Sequence, residues 1–323
     1  IQMIKNLKIL LILILSISIF SCLLENRSTG AKSPSKSKPN ILILLTDDQS
    51  FNTINALGNQ EVSTPNIDKL VSNGFTFTHA HIMGSFSGAV CMPSRAMLMT
   101  GQYLQKLDKV QGAIGENIKT MPQLLKESGY TTFFTGKWHN QKASFFKSFT
   151  NGENIFMGGM SNHLKVPLYN FDPSGIYPEK NKFFKDKFSS VLFKEAAVNF
   201  LRQYDEIKPF FACVSFTSPH DPRMAPDDYQ KKYNPEAISL PINFMTKHIF
   251  NNGELIIRDE NLLPFPRTEE AVKEEIAAYY AMISEVDDNI GKILKVLEET
   301  GHSDNTIIIF TSDNGLAVGQ HGL

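Results

Sequence analysis

Asp47 and Asp48, adjacent near the start, and Asp313 and Asn314, near the end, offer oxygen alone as ligands. No second Cys and no paired His stands at zinc spacing, so an all-oxygen set of this kind suits Ca²⁺ (or Mg²⁺) better than Zn²⁺. Carboxylates around one divalent cation leave an excess of negative charge. Arg95 and Lys137 can offset it and, in the same place, bind an anionic ester. Cys91, His139 and His220 complete the residues with chemistry to offer. Taken singly, each has an ordinary explanation. An Asp pair after a strand turns or caps, a His after Pro is solvated, and a free Cys packs in a core.

What argues against coincidence is the pattern of elements that must position them. Residues 40–46 form a continuous apolar run, the mark of a parallel strand buried on both faces, and Asp47-Asp48 follow it. A strand over 131–135 leads into Gly136-Lys137-Trp138-His139. A strand over 210–216 leads to Ser218-Pro219-His220, and one over 305–311 leads to Ser312-Asp313-Asn314-Gly315. Helices are expected over 65–73, with Thr64 as cap and Gly74 as stop, over 122–128, over 190–204 and, longest, from Thr268 to about Glu299. Gly291 within that last helix predicts a close packing contact. Residues 140–188 and 227–266 read as irregular, substrate-side loops. Alternating strands and helices predict an α/β fold, a mostly parallel sheet with helices on both faces. In such sheets sites form beyond the C-terminal strand ends, where Asp47, Asp48, Lys137, His139, His220, Asp313 and Asn314 fall.

Net charge is -1, with 32 Lys and Arg against 33 Asp and Glu, which points to no nucleic-acid partner. Lys5 and Lys8 precede an apolar run that ends at Ser21-Cys22. Residues 1–22 therefore read as an export signal. Residues 23–39, rich in Ser and Lys, read as a flexible tether. Cys213 lies in an apolar run and reads as core, so a Cys91–Cys213 disulfide is not expected.

Cys91-Met92-Pro93-Ser94-Arg95, running on to Thr100-Gly101, resembles the signature of the type I, formylglycine-dependent sulfatases of the alkaline phosphatase superfamily. The likeness extends over 40–323 through Gly136-Lys137-Trp138-His139, Ser312-Asp313-Asn314-Gly315 and Gly319-Gln320-His321-Gly322. It implies an alkaline-phosphatase-like α/β fold and sulfuric ester hydrolase activity. It also implies conversion of Cys91 to formylglycine by a formylglycine-generating or sulfatase-maturating enzyme. Asp47, Asp48, Asp313 and Asn314 look like the metal ligands, and Arg95 looks like the residue that steadies the formylglycine hydrate. Lys137 and His139 look like the sulfate-binding and diol-contacting pair, and His220 like the acid that protonates the leaving alcohol. A helix starting near Ser94 would turn its positive end toward the anion.

Ile19-Phe20-Ser21-Cys22 resembles a bacterial lipobox, which implies export to the periplasm or cell surface, a lipid anchor at Cys22, and a sulfated small molecule or glycan as substrate. Asp221, Arg223 and His321 are then candidates to touch sugar. Two departures stand out. Asn140-Gln141 replaces an apolar residue and Gly, which is expected to affect the substrate side. The sequence stops at Leu323, where the family continues into another sulfate-contacting Lys and a smaller C-terminal subdomain; the likeness thus implies a catalytic domain incomplete at its C-terminus and weakly active. Rival readings are a phosphoester or phosphonate hydrolase of the same superfamily, and a non-catalytic glycan-binding lipoprotein.

Overall fold

A computed structural model describes residues 38–323 apart from 109, 110, 252, 254, 257 and 258. The export signal, Cys22 and nearly all of the tether lie outside the described residues. Pro39–Leu323 forms one compact unit. Its sheet has five strands, β1 (Asn40–Thr46), β2 (Thr131–Lys137), β3 (Asn151–Phe156), β4 (Phe210–Ser215) and β5 (Thr306–Ser312), in the order β3-β2-β4-β1-β5. Every pairing is parallel. The apolar runs explain the inner strands. Leu42 and Leu44 of β1 and Ala212 and Val214 of β4 face one core with Phe193, Phe200 and Ile290. Their neighbours Ile43, Leu45, Phe211 and Cys213 face a second core with Met99, Phe134 and Trp138.

Among the described residues, six helices of seven or more residues flank the sheet: α1 (Pro65–Asn73), α2 (Cys91–Thr100), α3 (Met121–Glu127), α4 (Lys142–Ser148), α5 (Ser189–Gln203) and α6 (Glu269–Glu299). Thr268 caps α6 by accepting from the Ala271 amide. Gly291 of α6 does mark a tight crossing, since a Cβ there would stand 2.5 Å from the Asn66 side chain.

Three expectations need correction. Helix α2 begins at Cys91, not near Ser94. Pro93 is tolerated there because first-turn amides lack helical partners in any case. Thr64 stands at the N-cap position of α1, but its side chain makes no capping bond; it donates to Asp68 instead. The orphan amides of Asn66 and Ile67 are taken by the buried Asp287 carboxylate of α6 at 2.8–3.1 Å. Residues 140–188 are not all irregular, because they hold α4 and β3. The polar start of β3, Asn151-Gly152-Glu153-Asn154, hid a strand that pairs with β2 on one side and meets only an isolated bridge at Tyr169 on the other. At the opposite edge, Ile307 and Ile309 of β5 are exposed. Among the described residues no helix is long and apolar enough to cross a membrane.

Candidate active site

The chain visits the sheet out of order, from β1 to β2 and β3, back to β4, then across to β5. That reversal opens a crevice at the C-terminal strand ends. Asp47 and Asp48 follow β1, and Asp313 and Asn314 follow β5, whose register sets Thr46 opposite Ser312. Lys137 closes β2. It reaches the centre because Gly136, at φ 99°, lets β2 press on β4: a Cβ there would stand 1.8 Å from the Ser215 carbonyl oxygen. Asp48 itself sits at φ 67°, a left-handed geometry that Asp tolerates better than most residues. It is held there by its amide donating to Asp313 Oδ1 at 3.0 Å and by the Tyr279 hydroxyl donating to its carbonyl.

The predicted residues converge. Arg95, from the second turn of α2, is 2% exposed and bridges two carboxylates, Nε to Asp313 Oδ2 at 2.8 Å and Nη2 to Asp47 Oδ1 at 3.1 Å. Its Nη1 donates to the Lys137 carbonyl and to Ser215 Oγ. Lys137 Nζ lies 2.6 Å from Asp47 Oδ2. Cys91 Sγ, at the N-terminal end of α2, is 3.4 Å from Asp48 Oδ1. Ligand atoms of Asp47, Asp48, Cys91 and His220 all lie within 4.8 Å of one another.

The electrostatics follow from burying this much charge. Burial alone would raise the Asp47 carboxyl, but Lys137 and Arg95 outweigh it and hold Asp47 below its ordinary value. Asp313 goes the other way, pushed up to about 6 by burial and by Asp47. Burial and the surrounding carboxylates raise the Cys91 thiol far above its usual range, so the unmodified side chain is a protonated, poor nucleophile. His139 is lowered to about 3 by burial and by Lys137 and Arg95, and is neutral. Burial opposes a charge on His220, yet its bond to Asp221, with Asp47 and Asp48 nearby, lifts it to about 9. Its Nδ1 faces Asp221 Oδ1 at 3.0 Å and its Nε2 points at Asp48 Oδ2, 3.6 Å away.

A divalent cation fits this donor set. Asn314 Nδ2 donates to Asp48 Oδ1 at 2.8 Å while Asn314 Oδ1 is buried without a partner. Asp47 Oδ1 likewise lacks an aligned donor, although Arg95 Nη2 stands beside it. Hard oxygen atoms left unsatisfied among carboxylates are what Ca²⁺ or Mg²⁺ would take up.

Sequence reasoning missed Ser215, Tyr279, Ser94 and His163. Ser215 was within reach as the last residue of a strand aimed at the site. Ser94, expected at a helix start, donates to the Asp313 carbonyl. Nothing local marks Tyr279, midway along α6. Asn140 ties the loop at Ile114 to the first turn of α2, accepting from the Ile114 amide at 3.0 Å and donating to the Met92 carbonyl at 3.4 Å. Arg223 donates to the Pro219 carbonyl and lies over the Tyr279 ring, and His321 meets Asn243. A cleft of about 480 Å³ is lined by residues including Ser50, Glu61, Leu240, Tyr279 and Gln320 and by none of the residues of the cluster.

Comparison with known proteins places the chain in a family. A family model described as Sulfatase matches residues 39–323. The N-acetylglucosamine-6-O-sulfatase of Bacteroides thetaiotaomicron is 26% identical over 346 residues, spanning 88% of this chain and 59% of that protein. Among solved structures, the putative sulfatase yidJ from Bacteroides fragilis superposes with a TM-score of 0.71 at 24% identity, covering 90% of this chain and 65% of that one. The phosphonate monoester hydrolase of Agrobacterium radiobacter gives 0.69 at 22% identity, covering 88% and 64%. The chain thus spans about six-tenths of the length of these relatives.

Proposed function

The chain belongs to the sulfatase family, and from that premise we propose that it hydrolyses sulfate esters through a formylglycine made from Cys91, with Ca²⁺ (or Mg²⁺) held by Asp47, Asp48, Asp313 and Asn314. The observation that carries the reading is the meeting of Cys91 with those oxygen donors and with Arg95 and Lys137 in one buried cluster. Such a cation, when bound, would neutralise the carboxylates and offset charge on the sulfuryl oxygens. A hydrated aldehyde at Cys91 supplies one hydroxyl to attack sulfur and a second whose deprotonation expels sulfate, which a thiol cannot do.

The chain's own residues divide the work. Arg95 fixes Asp47 and Asp313 so that the ligand oxygens stay aimed inward. Lys137 and the positive end of α2 attract the sulfate group. His139, held neutral by burial, contacts the diol of the hydrate. His220 carries its proton on Nε2, the atom facing the cluster, and gives it to the leaving alcohol oxygen, so that no alkoxide need depart. A sulfated carbohydrate is the favoured substrate, supported by the name of the relative that is an N-acetylglucosamine-6-O-sulfatase.

The test is turnover of paired sulfate and phosphonate monoesters by protein co-produced with a maturation enzyme. Sulfate ester cleavage that disappears in Cys91→Ala supports the proposal. Preference for the phosphonate would transfer the chain to the other activity found on this fold. Export and a lipid anchor at Cys22 are part of the same proposal. Cys22→Ala should release the protein from the membrane fraction, and an unchanged distribution would refute the anchor.

A further inference from the structure

The turn over residues 217–222 carries His220, and something must hold that turn at a fixed height above the cluster. Behind it lies a histidine the site does not use. His163 is 1% exposed, stacked on Phe188 with ring centroids 5.3 Å apart. Its Nε2 lies 3.0 Å from the backbone oxygen of His220. A carbonyl oxygen only accepts, so Nε2 carries the hydrogen. Its Nδ1 lies 2.9 Å from Ser189 Oγ, in the first turn of α5, and Thr217 Oγ1 donates to that same Ser189 oxygen at 2.8 Å. The bonds run in one direction, from Thr217 to Ser189 to His163 to the His220 carbonyl. Burial lowers His163 to about 4, which keeps the ring in the neutral form this chain of bonds requires.

We propose that His163 is a positioning residue for the leaving-group acid. It fixes the backbone of His220 while Asp221 fixes the imidazole through Nδ1, so that Nε2 is aimed at the departing oxygen. Other anchors hold the neighbouring residues of the turn, among them Arg223, which donates to the Pro219 carbonyl. Asp47 donates its amide to the Ser218 carbonyl at 3.2 Å, and Ser190 Oγ meets Ser218 Oγ at 3.2 Å. Within the turn the His220 amide donates to the Thr217 carbonyl at 3.2 Å, and His163 ties the other side of that main chain to the body of the fold. The inference rests on the role given to His220 above.

The experiment measures kcat/KM across sulfate esters graded by leaving group, from nitrophenyl to phenyl to alkyl sulfate, in the natural full-length protein carrying formylglycine. A good leaving group needs little help from an acid, and a poor one needs it most. His163→Ala should lose on the order of tenfold to 10²-fold on the poorest leaving group and only a few fold on nitrophenyl sulfate. His163→Gln, which keeps an N–H donor, should restore much of the loss. An equal loss across the series would overturn the proposal, because that is what general loosening of the fold gives. Should His163→Ala fail to fold, Ser189→Ala serves instead, and its dependence on leaving group decides the matter by the same criterion. His220→Ala separates the two claims. If it steepens the series and the His163 variants do not, only the positioning role falls; if it does not, the acid role falls and takes this inference with it.

Discussion

At Arg95 a single buried guanidinium meets two carboxylates, a backbone carbonyl and a hydroxyl. Its planar fork suits that geometry, and a lysine's point charge does not. Removing it leaves Asp47 and Asp313 buried with less compensation, which costs about 3–5 kcal/mol for a broken buried pair. Arg95→Ala should therefore lower the denaturant midpoint sharply, with Arg95→Lys recovering only a little; a midpoint near wild type would contradict this account of the site. His163 adds a pH dependence of known sign. Its folded value, about 4, lies below the 6.5 of an unfolded His. Above 6.5 both states are neutral and the group contributes nothing to the slope. As pH falls from 6.5 toward 4 the unfolded chain takes a proton that the folded chain refuses, so stability declines over that window. Melting curves across it should be flatter in His163→Gln. Asp47, Asp48, Lys137, His220, Asp313 and Asn314 were readable in the sequence because each follows a predicted strand, and Cys91 and Arg95 because of their motif. Tyr279 was not, because its hydroxyl matters only once α6 has packed beneath Asp48.

At the scale of elements, the inner strands were legible and the edges were not. β1 and β4 are covered on both faces and read as unbroken apolar segments. β3 is an edge strand with a polar first half, and period alone does not reveal it. The start of α2 is hard to place from sequence because Ser94 has the chemistry of a cap and Val90 has none, yet in the fold Ser94 is spent on the Asp313 carbonyl. α1 has a cap borrowed from a distant helix, Asp287 of α6. Asp287→Ala should destabilise the protein by about 1–2 kcal/mol, the usual scale for a lost cap, and urea unfolding measures it. A value near zero would mean that water replaces the carboxylate without loss.

For the whole molecule, the donor set makes stability and metal binding one equilibrium. A ligand that binds only the folded state stabilises it by about 2.7 kcal/mol when present at a hundredfold over its dissociation constant. Added Ca²⁺ or Mg²⁺ should raise the melting temperature, and Asp47→Ala or Asn314→Ala should reduce the increment. Equal increments in wild type and both variants would place the cation elsewhere.

The central claim, that Cys91 is the precursor of the nucleophile, is tested most directly by the mass of its peptide. Protein co-expressed with a competent maturation enzyme should yield the Cys91 peptide with its thiol replaced by an aldehyde or the hydrate. The Cys213 peptide of the same digest should keep its thiol. An unmodified thiol at Cys91 under those conditions would contradict the account.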